Sequence, residues 1–406
     1  MIFNIKKLIV LKYNTVNNKI INMIKEETED YLISNDNILL FKPEFNKSLI
    51  NYIDIISKYD KLIFFNYNDI KIFISINNKF DDYYLYSKFN KPIYILPSNI
   101  TPLNFGSNFN QEVNNLPPNL THLTFGEYFN QEVKNLPPNL THLSFGKNFN
   151  QEVINLPQNI THLSFGKNFN QEVINLPQNI THLSFGKNFN QEVNNLPPNL
   201  THLTFGEYFN QEVKNLPPNL THLTFGEYFN QEVNNLPPNL THLTFGEYFN
   251  QEVKNLPPNL THLTFGSNFN QEVNNLPLNI THLTFDYNFN QQAYIPFSVK
   301  YLKLNCNNKY IIDNLSNNIE ELELNSSFTL ELNNLPSSLK KLIFNKYSLY
   351  NKELNCLPKK LELFQLPLYY NHKIKNIPNG LKKVICSKNY KYINDFKSLE
   401  IETYKN

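Results

Sequence analysis

Apolar residues return along most of this chain in one twenty-residue frame. Read from Leu116 to Asn135, LPPNLTHLTFGEYFNQEVKN, they are Leu116, Leu120, Leu123, Phe125, Phe129 and Val133. The frame recurs ten times in tandem from Leu96 to Ile295. A fixed period of this size is that of a solenoid, one supersecondary unit per repeat stacked on its neighbours. Leu120-x-x-Leu123-x-Phe125 predicts a short strand entered from a turn. Side chains alternate along a strand, so Leu123 and Phe125 face inward while His122 and Thr124 face out. Pro117 and Pro118 exclude a regular helix from the return path and favour extended or polyproline geometry. Gly126 and its equivalents, Gly106 to Gly266, imply a positive φ or close packing of the next coil. Asp286 takes this place in the tenth unit, as a residue that tolerates such a turn. Asn130 is expected to hydrogen-bond backbone from coil to coil.

Beyond Ile295 the frame decays but persists, with strand cores at Leu302, Leu322, Leu342, Phe364 and Val384. The steps between them are 20, 20, 22 and 20 residues, which makes about fifteen coils in all. Residues 296–386 are thus read as about five degenerate repeats and 387–406 as a C-terminal cap. Residues 1–95 lack the strict frame and are read as a small α/β cap or adaptor domain. There Ile70, Ile72, Ile74 and Ile76 alternate like a strand. Leu49, Ile53 and Ile56 suit a helix face, as do Ile20 and Ile24. Tyr59-x-x-Leu62-x-Phe64 has the strand spacing of a decayed unit.

The block resembles the leucine-rich repeat family, and more closely the FNIP-repeat proteins of amoebae and their giant viruses. The resemblance rests on Phe129-Asn130-Gln131 after the strand and Leu136-Pro137 before the next one. Phe-Asn-Gln stands in all ten units, from Phe109-Asn110-Gln111 to Phe289-Asn290-Gln291. The family often has Pro after the trio, whereas Glu stands there in nine units and Gln292 in the tenth. The resemblance implies a leucine-rich-repeat-type solenoid, mainly β, with one short parallel strand per coil. It also implies a binding role, and it carries over no catalytic residue. Some relatives resemble F-box proteins at the N-terminus, which makes a substrate receptor for ubiquitin ligase machinery, recruited through residues 1–95, the alternative reading.

Charge changes the picture along the chain. Arg is absent, so all 36 basic residues are Lys, and the net charge is +1. Without a bidentate guanidinium fork, specific nucleic-acid recognition is disfavoured. Residues 1–95 carry 13 Lys and 11 acidic groups, a net of +2. Residues 96–295 carry 6 Lys and 14 acidic groups, a net of −8. Residues 296–406 carry 17 Lys and 10 acidic groups, a net of +7. The three cysteines, Cys306, Cys356 and Cys386, have neither metal spacing nor a disulfide framework. The apolar run Leu8–Leu11 is too short for a signal-peptide core or a membrane span. Ten Asn-x-Thr sequons, Asn99 to Asn279, stand at the strand entrances, where sugars would crowd every coil. A cytoplasmic setting is therefore expected.

Stacking turns each position into a column. Nine His, from His122 to His282, form one on the open sheet face, with His202 and His222 near its middle. Such a column invites metal binding or pH sensing. Near-exact duplication explains it equally as plain surface, which is the reading adopted, because no carboxylate column flanks it to orient the rings. The Glu column, Glu112 to Glu272, is expected to splay into solvent. In the decayed coils the sites equivalent to Thr121 and His122 hold Lys300-Tyr301, Glu320-Glu321, Lys340-Lys341, Glu362-Leu363 and Lys382-Lys383. Their sign alternates from coil to coil, as in a register-setting ladder or a mixed-charge docking face. No phosphate loop, dinucleotide turn, His-Glu-x-x-His or nucleophile elbow occurs. The sequence thus reads as a non-enzymatic scaffold without cofactor or metal, offering a concave sheet to a protein partner. Tyr301, Lys300, Glu320, Glu321, Lys340, Lys341, Lys382 and Lys383 are the first candidates for the contact, and His202 and His222 the second.

Overall fold

The computed structural model describes residues 24–34, 37–64 and 87–404. The chain divides into two compact units, residues 1–191 and 192–406. The strand expected at Ile70–Ile76 and the helix position Ile20 lie outside the described residues.

In the first unit β1 (Ile24–Glu27), β2 (Tyr31–Ser34) and β3 (Ile38–Phe41) form an antiparallel meander. Ile24 therefore opens a strand, not the helix face its spacing suggested. A single 3-10 turn, Leu49–Tyr52, runs into the one-turn helix α1 (Ile53–Ile56), where Leu49 and Ile56 are buried. From β3 onward pairing is parallel, through β4 (Lys61–Phe64), β5 (Pro102–Asn104), β6 (His122–Thr124), β7 (His142–Ser144), β8 (His162–Ser164) and β9 (His182–Ser184). Tyr59-x-x-Leu62-x-Phe64 is indeed a coil of the stack, and β3 adds one that the spacing did not announce.

The second unit repeats the arrangement with β10 (His202–Thr204), β11 (His222–Thr224), β12 (His242–Thr244), β13 (His262–Thr264) and β14 (His282–Phe285). The degenerate coils supply β15 (Tyr301–Leu304), β16 (Glu321–Leu324), β17 (Lys341–Phe344), β18 (Leu363–Gln365) and β19 (Lys383–Cys386). Each pairs in parallel with the next, so equivalent residues face each other, His222 with His242 and Glu321 with Lys341. After β15 the return path holds the short helix α2 (Lys309–Asp313), capped by Asn308, whose side chain accepts from the Ile311 amide. A 3-10 turn, Ile393–Phe396, leads to β20 (Glu400–Thr403), a parallel strand on β19 where only a closing segment was expected.

The core is a set of columns. Leu123, Phe125 and Phe129 are buried, as are their counterparts in every strict coil. Phe125 stacks on Phe129 within its coil at 3.8 Å and on Phe145 of the next at 5.5 Å. The strand edges are joined by backbone bonds, such as Thr141 N to Thr121 O at 2.8 Å. Two turns close each coil, Leu120 N to Pro117 O at 3.1 Å and Phe129 N to Gly126 O at 3.4 Å. The family trio forms a further ladder. The Asn130 amide donates to Asn110 Oδ1 at 2.9 Å, and Gln131 Nε2 donates to the Asn110 carbonyl at 3.3 Å. The second unit repeats this at Asn230 and Asn210, 2.9 Å apart.

Of the two reasons offered for the glycine column, only close packing holds, and the partner is the preceding coil. No glycine has a positive φ. A Cβ on Gly126 would lie 2.1 Å from the Gly106 carbonyl oxygen, and one on Gly226 would lie 1.9 Å from that of Gly206. Asp286 likewise has no positive φ; its carboxylate instead caps the turn through the Tyr287 amide at 2.8 Å and Ser267 Oγ at 3.1 Å. Among the described residues the left-handed ones are Asn37, ahead of β3, and in the strict coils Asn135, Asn155, Asn175, Asn195, Asn215, Asn235 and Asn255, each of the latter two residues before the first proline of the next coil. Asn is the side chain best suited to that conformation after Gly.

Phe205→Ala should cost about 3–5 kcal/mol, because it opens a cavity between coils. Gly226→Ala should also be costly, since backbone must shift to admit the methyl group. Glu212→Ala, which removes an exposed carboxylate paired with Lys214, should change stability by less than about 0.5 kcal/mol. Urea denaturation of the full chain checks all three; similar losses from Phe205→Ala and Glu212→Ala would mean that the faces are reversed.

Candidate functional site

The open face of the strict coils is a joined ladder of Thr and His. In the first unit His122, His142, His162 and His182 stack with ring centroids 4.1–4.2 Å apart. In the second, His202, His222, His242, His262 and His282 do the same at 4.1 Å. These separations are shorter than the 6.0 Å between Phe149 and Phe169, or Phe229 and Phe249, on the inward side.

Each ring has a fixed orientation. Thr141 Oγ1 lies 3.0 Å from the Thr121 carbonyl and 2.9 Å from His142 Nδ1. A carbonyl can only accept, so the hydroxyl proton goes to it, and Oγ1 then accepts from Nδ1–H. The same holds at Thr241 and His242, with distances of 3.0 and 2.9 Å. The hydroxyl does the orienting that was sought from a carboxylate column. It leaves the second ring nitrogen, Nε2, unprotonated. Because the rings are nearly parallel, neighbouring Nε2 lone pairs run side by side and do not converge on a common point. Among the described residues no group of three or more His, Cys, Asp or Glu could hold a metal ion.

Titration of three rings of the column, His142, His242 and His262, is opposed. The pKa values of His142 and His242 are lowered, first by burial and then by neighbouring His. His262 is lowered to about 4 by the same causes. An imidazolium in the column loses hydration and repels its neighbours.

The sheet face changes character at β15. Tyr301 takes the His register, its ring 5.4 Å from His282 and tilted to it. Its hydroxyl donates to Glu323 Oε2 at 2.6 Å. Burial and this bond raise its pKa. Lys300 and Lys340 flank Glu320 at 3.3 and 2.6 Å. Glu321 meets Lys341 at 2.8 Å, and Glu362 meets Lys382 at 2.7 Å. Lys383 holds both Glu400 and Glu402, at 2.9 and 2.8 Å. The Glu320 carboxyl is held below its usual range by the bonds from Lys340 and Lys300. Burial raises Glu323, but bonds from Lys303 and Tyr301 outweigh it and the net direction is down. The structure thus joins the charged candidates into separate ion-paired groups, while His202 and His222 sit in the Thr–His ladder.

Sequence reasoning missed three features. The Lys303–Glu323 pair, at 2.5 Å, forms a further charged row at the sites equivalent to Thr124; the alternating sign of Lys303 and Glu323 was there to read. Tyr208, Tyr228 and Tyr248 stack at 5.1 and 4.8 Å on the turn after the strand, visible as a Tyr repeat beside Glu. Tyr347, Leu349 and Tyr369 are 61%, 74% and 71% exposed on the corresponding turns of the degenerate coils. Tyr347 and Tyr369 stand in the register of Tyr128, three residues after the last inward residue of the strand, so their spacing was there to read. The exposed Glu column is tempered locally, Glu112 by Asn114 at 3.0 Å and Glu252 by Lys254 at 2.7 Å.

A repeat with one short parallel strand, a glycine contact and an Asn-Gln ladder defines a leucine-rich-repeat-type solenoid. The family model described as FNIP Repeat matches in overlapping segments, 89–128, 112–148, 129–168, 149–175, 169–208, 192–228, 209–248, 229–268, 249–275, 269–307 and 307–347. Together they span more than half of the chain, which belongs to the FNIP-repeat family. Among solved structures it is similar to CroV588, a novel circular LRR protein structure, at 35% identity and a TM-score of 0.68. That likeness covers 89% of this chain and 61% of the other. YopM from Yersinia enterocolitica WA-314 is 22% identical with a TM-score of 0.44, over 72% of this chain and 65% of that one. The chain thus spans less than two thirds of the length of either. No curated protein sequence matches it. Among the described residues no helix is long and apolar enough to cross a membrane.

A lowered His pKa means that the unfolded chain binds protons near pH 6.5 when the folded ladder does not. Stability should therefore fall as pH drops from about 6.5 towards 4, and the upper part of that window precedes most carboxylate titration. His242→Asn with His262→Asn, which keeps a donor near the Thr hydroxyl, should flatten the loss between about pH 7 and 5. Urea midpoints across that range measure it. Zinc should leave the melting temperature unchanged; a rise removed by His202→Ala with His222→Ala would overturn this account of the column.

Proposed function

We propose that the chain is a non-enzymatic protein–protein interaction scaffold whose open sheet face receives a protein partner, with the specific contacts in the degenerate coils. The observation that carries this reading is the ion-pair lattice from Lys300 to Lys383. It holds charges of both signs in register on a parallel sheet, so a partner meets an ordered surface and little side-chain entropy is lost on binding. Tyr301 adds an aromatic ring fixed by Glu323. The strict coils offer Thr, Ser and neutral His, without charge on the strands, and serve as a spacer with weak contacts. Residues 1–95 act as an N-terminal cap or adaptor, 96–295 and 296–386 as the strict and degenerate repeats, and 387–406 as a C-terminal cap.

A cytoplasmic setting fits the sequon amides. Asn119 Nδ2 donates to the Ser98 carbonyl at 3.0 Å and Asn239 Nδ2 to that of Pro218 at 3.0 Å, so the amides that would carry sugars serve coil stacking.

The test begins with a partner isolated on the full-length chain. Tyr301→Ala with Lys340→Glu should weaken that complex about tenfold or more, as expected for a central aromatic and a reversed charge. His202→Ser with His222→Ser and His242→Ser should change it less than about threefold. Loss in the His variant and retention in the Tyr301 variant would place the specific site in the strict coils.

A further inference from the structure

The lysines of the C-terminal coils fall into two sets. Those on the sheet face, Lys300, Lys303, Lys340, Lys341, Lys382 and Lys383, each reach a carboxylate. Lys388 and Lys391 belong to the turn after β19. Both are exposed, and neither makes an ion pair among the described residues. Lys359, Lys360 and Lys397 are likewise exposed without an ion pair among the described residues, but of these lysines Lys388 and Lys391 are the ones that border a cavity.

An open cavity of about 370 Å³ lies between these lysines and the turn after β18. Its walls include Tyr369, Tyr370, Tyr390 and Tyr404. Tyr404 is fixed by its hydroxyl, which donates to the Leu366 carbonyl at 2.6 Å. Tyr390 is fixed in the same way on the His372 carbonyl at 2.6 Å. Lys346 lies 5.3 Å from the Tyr404 ring centroid, on a ring that walls the cavity. Tyr369, by contrast, leaves 71% of its surface to solvent. Held aromatic walls beside an exposed aromatic and uncompensated cations have the composition of a binding hot spot.

We infer that this cavity docks an acidic peptide, with an apolar or aromatic side chain against Tyr369 and Tyr404 and carboxylates on Lys388 and Lys391. Charge complementarity selects the sign of the occupant. The small size of the cavity and the absence of Arg favour a peptide over a nucleic-acid strand, which needs a continuous basic track. The site is separate from the sheet face and stands whether or not that face binds a partner.

A fluorescein-labelled peptide of alternating Glu and Phe, titrated into the full-length chain by anisotropy, tests this. Binding should be saturable and should weaken with salt, and the Lys–Phe analogue should not bind. Lys388→Glu with Lys391→Glu should reduce affinity at least about tenfold, and Tyr369→Ala about fivefold or more. Lys359→Glu with Lys360→Glu, the same charge change on an exposed turn outside the cavity, should stay within about twofold. Tyr301→Ala with Lys340→Glu should leave peptide binding intact, which separates this site from the sheet face. Thermal melts confirm that each variant folds, and Tyr369→Leu replaces Tyr369→Ala if the latter does not. Equal losses from the two lysine pairs, or an unaffected Tyr369 variant, would overturn the proposal. So would a single-stranded RNA oligonucleotide that binds more tightly than the peptide and ignores Tyr369.

Discussion

In the strict coils the close approach of one coil's backbone to the next, at the glycine that follows each of β5 to β13, is the contact on which the other columns depend. A Cβ on Gly146 would sit 2.0 Å from the Gly126 carbonyl, so only hydrogen fits. The parallel strand ladder sets the same spacing a few residues earlier. Between them they fix the pitch, and every other column must be made of side chains that tolerate a copy of themselves at that distance.

This explains which residues can repeat. Phe gains contact with Phe, and Asn can both accept from and donate to the coil beside it. Thr and His manage it together, because the Thr hydroxyl bridges a carbonyl and Nδ1 and the rings stay neutral. Like charges cannot stack this closely at low cost. On the sheet face they alternate in sign, as at Lys300, Glu320 and Lys340, while the unbroken Glu column is confined to the exposed return side. The pKa values of His142, His242 and His262 are lowered first by burial, and like-charge repulsion along the column adds to it.

Function follows from where the self-copying stops. A monotonous face offers a partner many equivalent registers and little to choose between them. In the proposed reading, specific recognition uses positions that differ from coil to coil, which on the sheet face of the second unit begin at Tyr301. They continue on the turn edges, where Tyr347, Leu349 and Tyr369 are exposed. Membership of the FNIP-repeat family accounts for the scaffold, and the proposed recognition rests on these unrepeated side chains.

The sequence alone determined the period, the strand positions, the inward Leu and Phe columns and the alternation of charge from Lys300 onward. All of these are relations between residues about twenty apart, and in a solenoid such residues are neighbours, so the spatial contact is written as a linear repeat. The tertiary structure alone decided the rest. It assigned the glycines to backbone contact with the coil before, and the left-handed turns to Asn135 and its equivalents, because φ and backbone approach leave no period of their own. It showed that Thr141 orients His142, a bond between sequence neighbours whose direction depends on a carbonyl in another coil. It placed β3 and β20 in the stack and opened the cavity beside Lys388, since both depend on turns of irregular length, where the register of one coil against the next can no longer be counted along the chain.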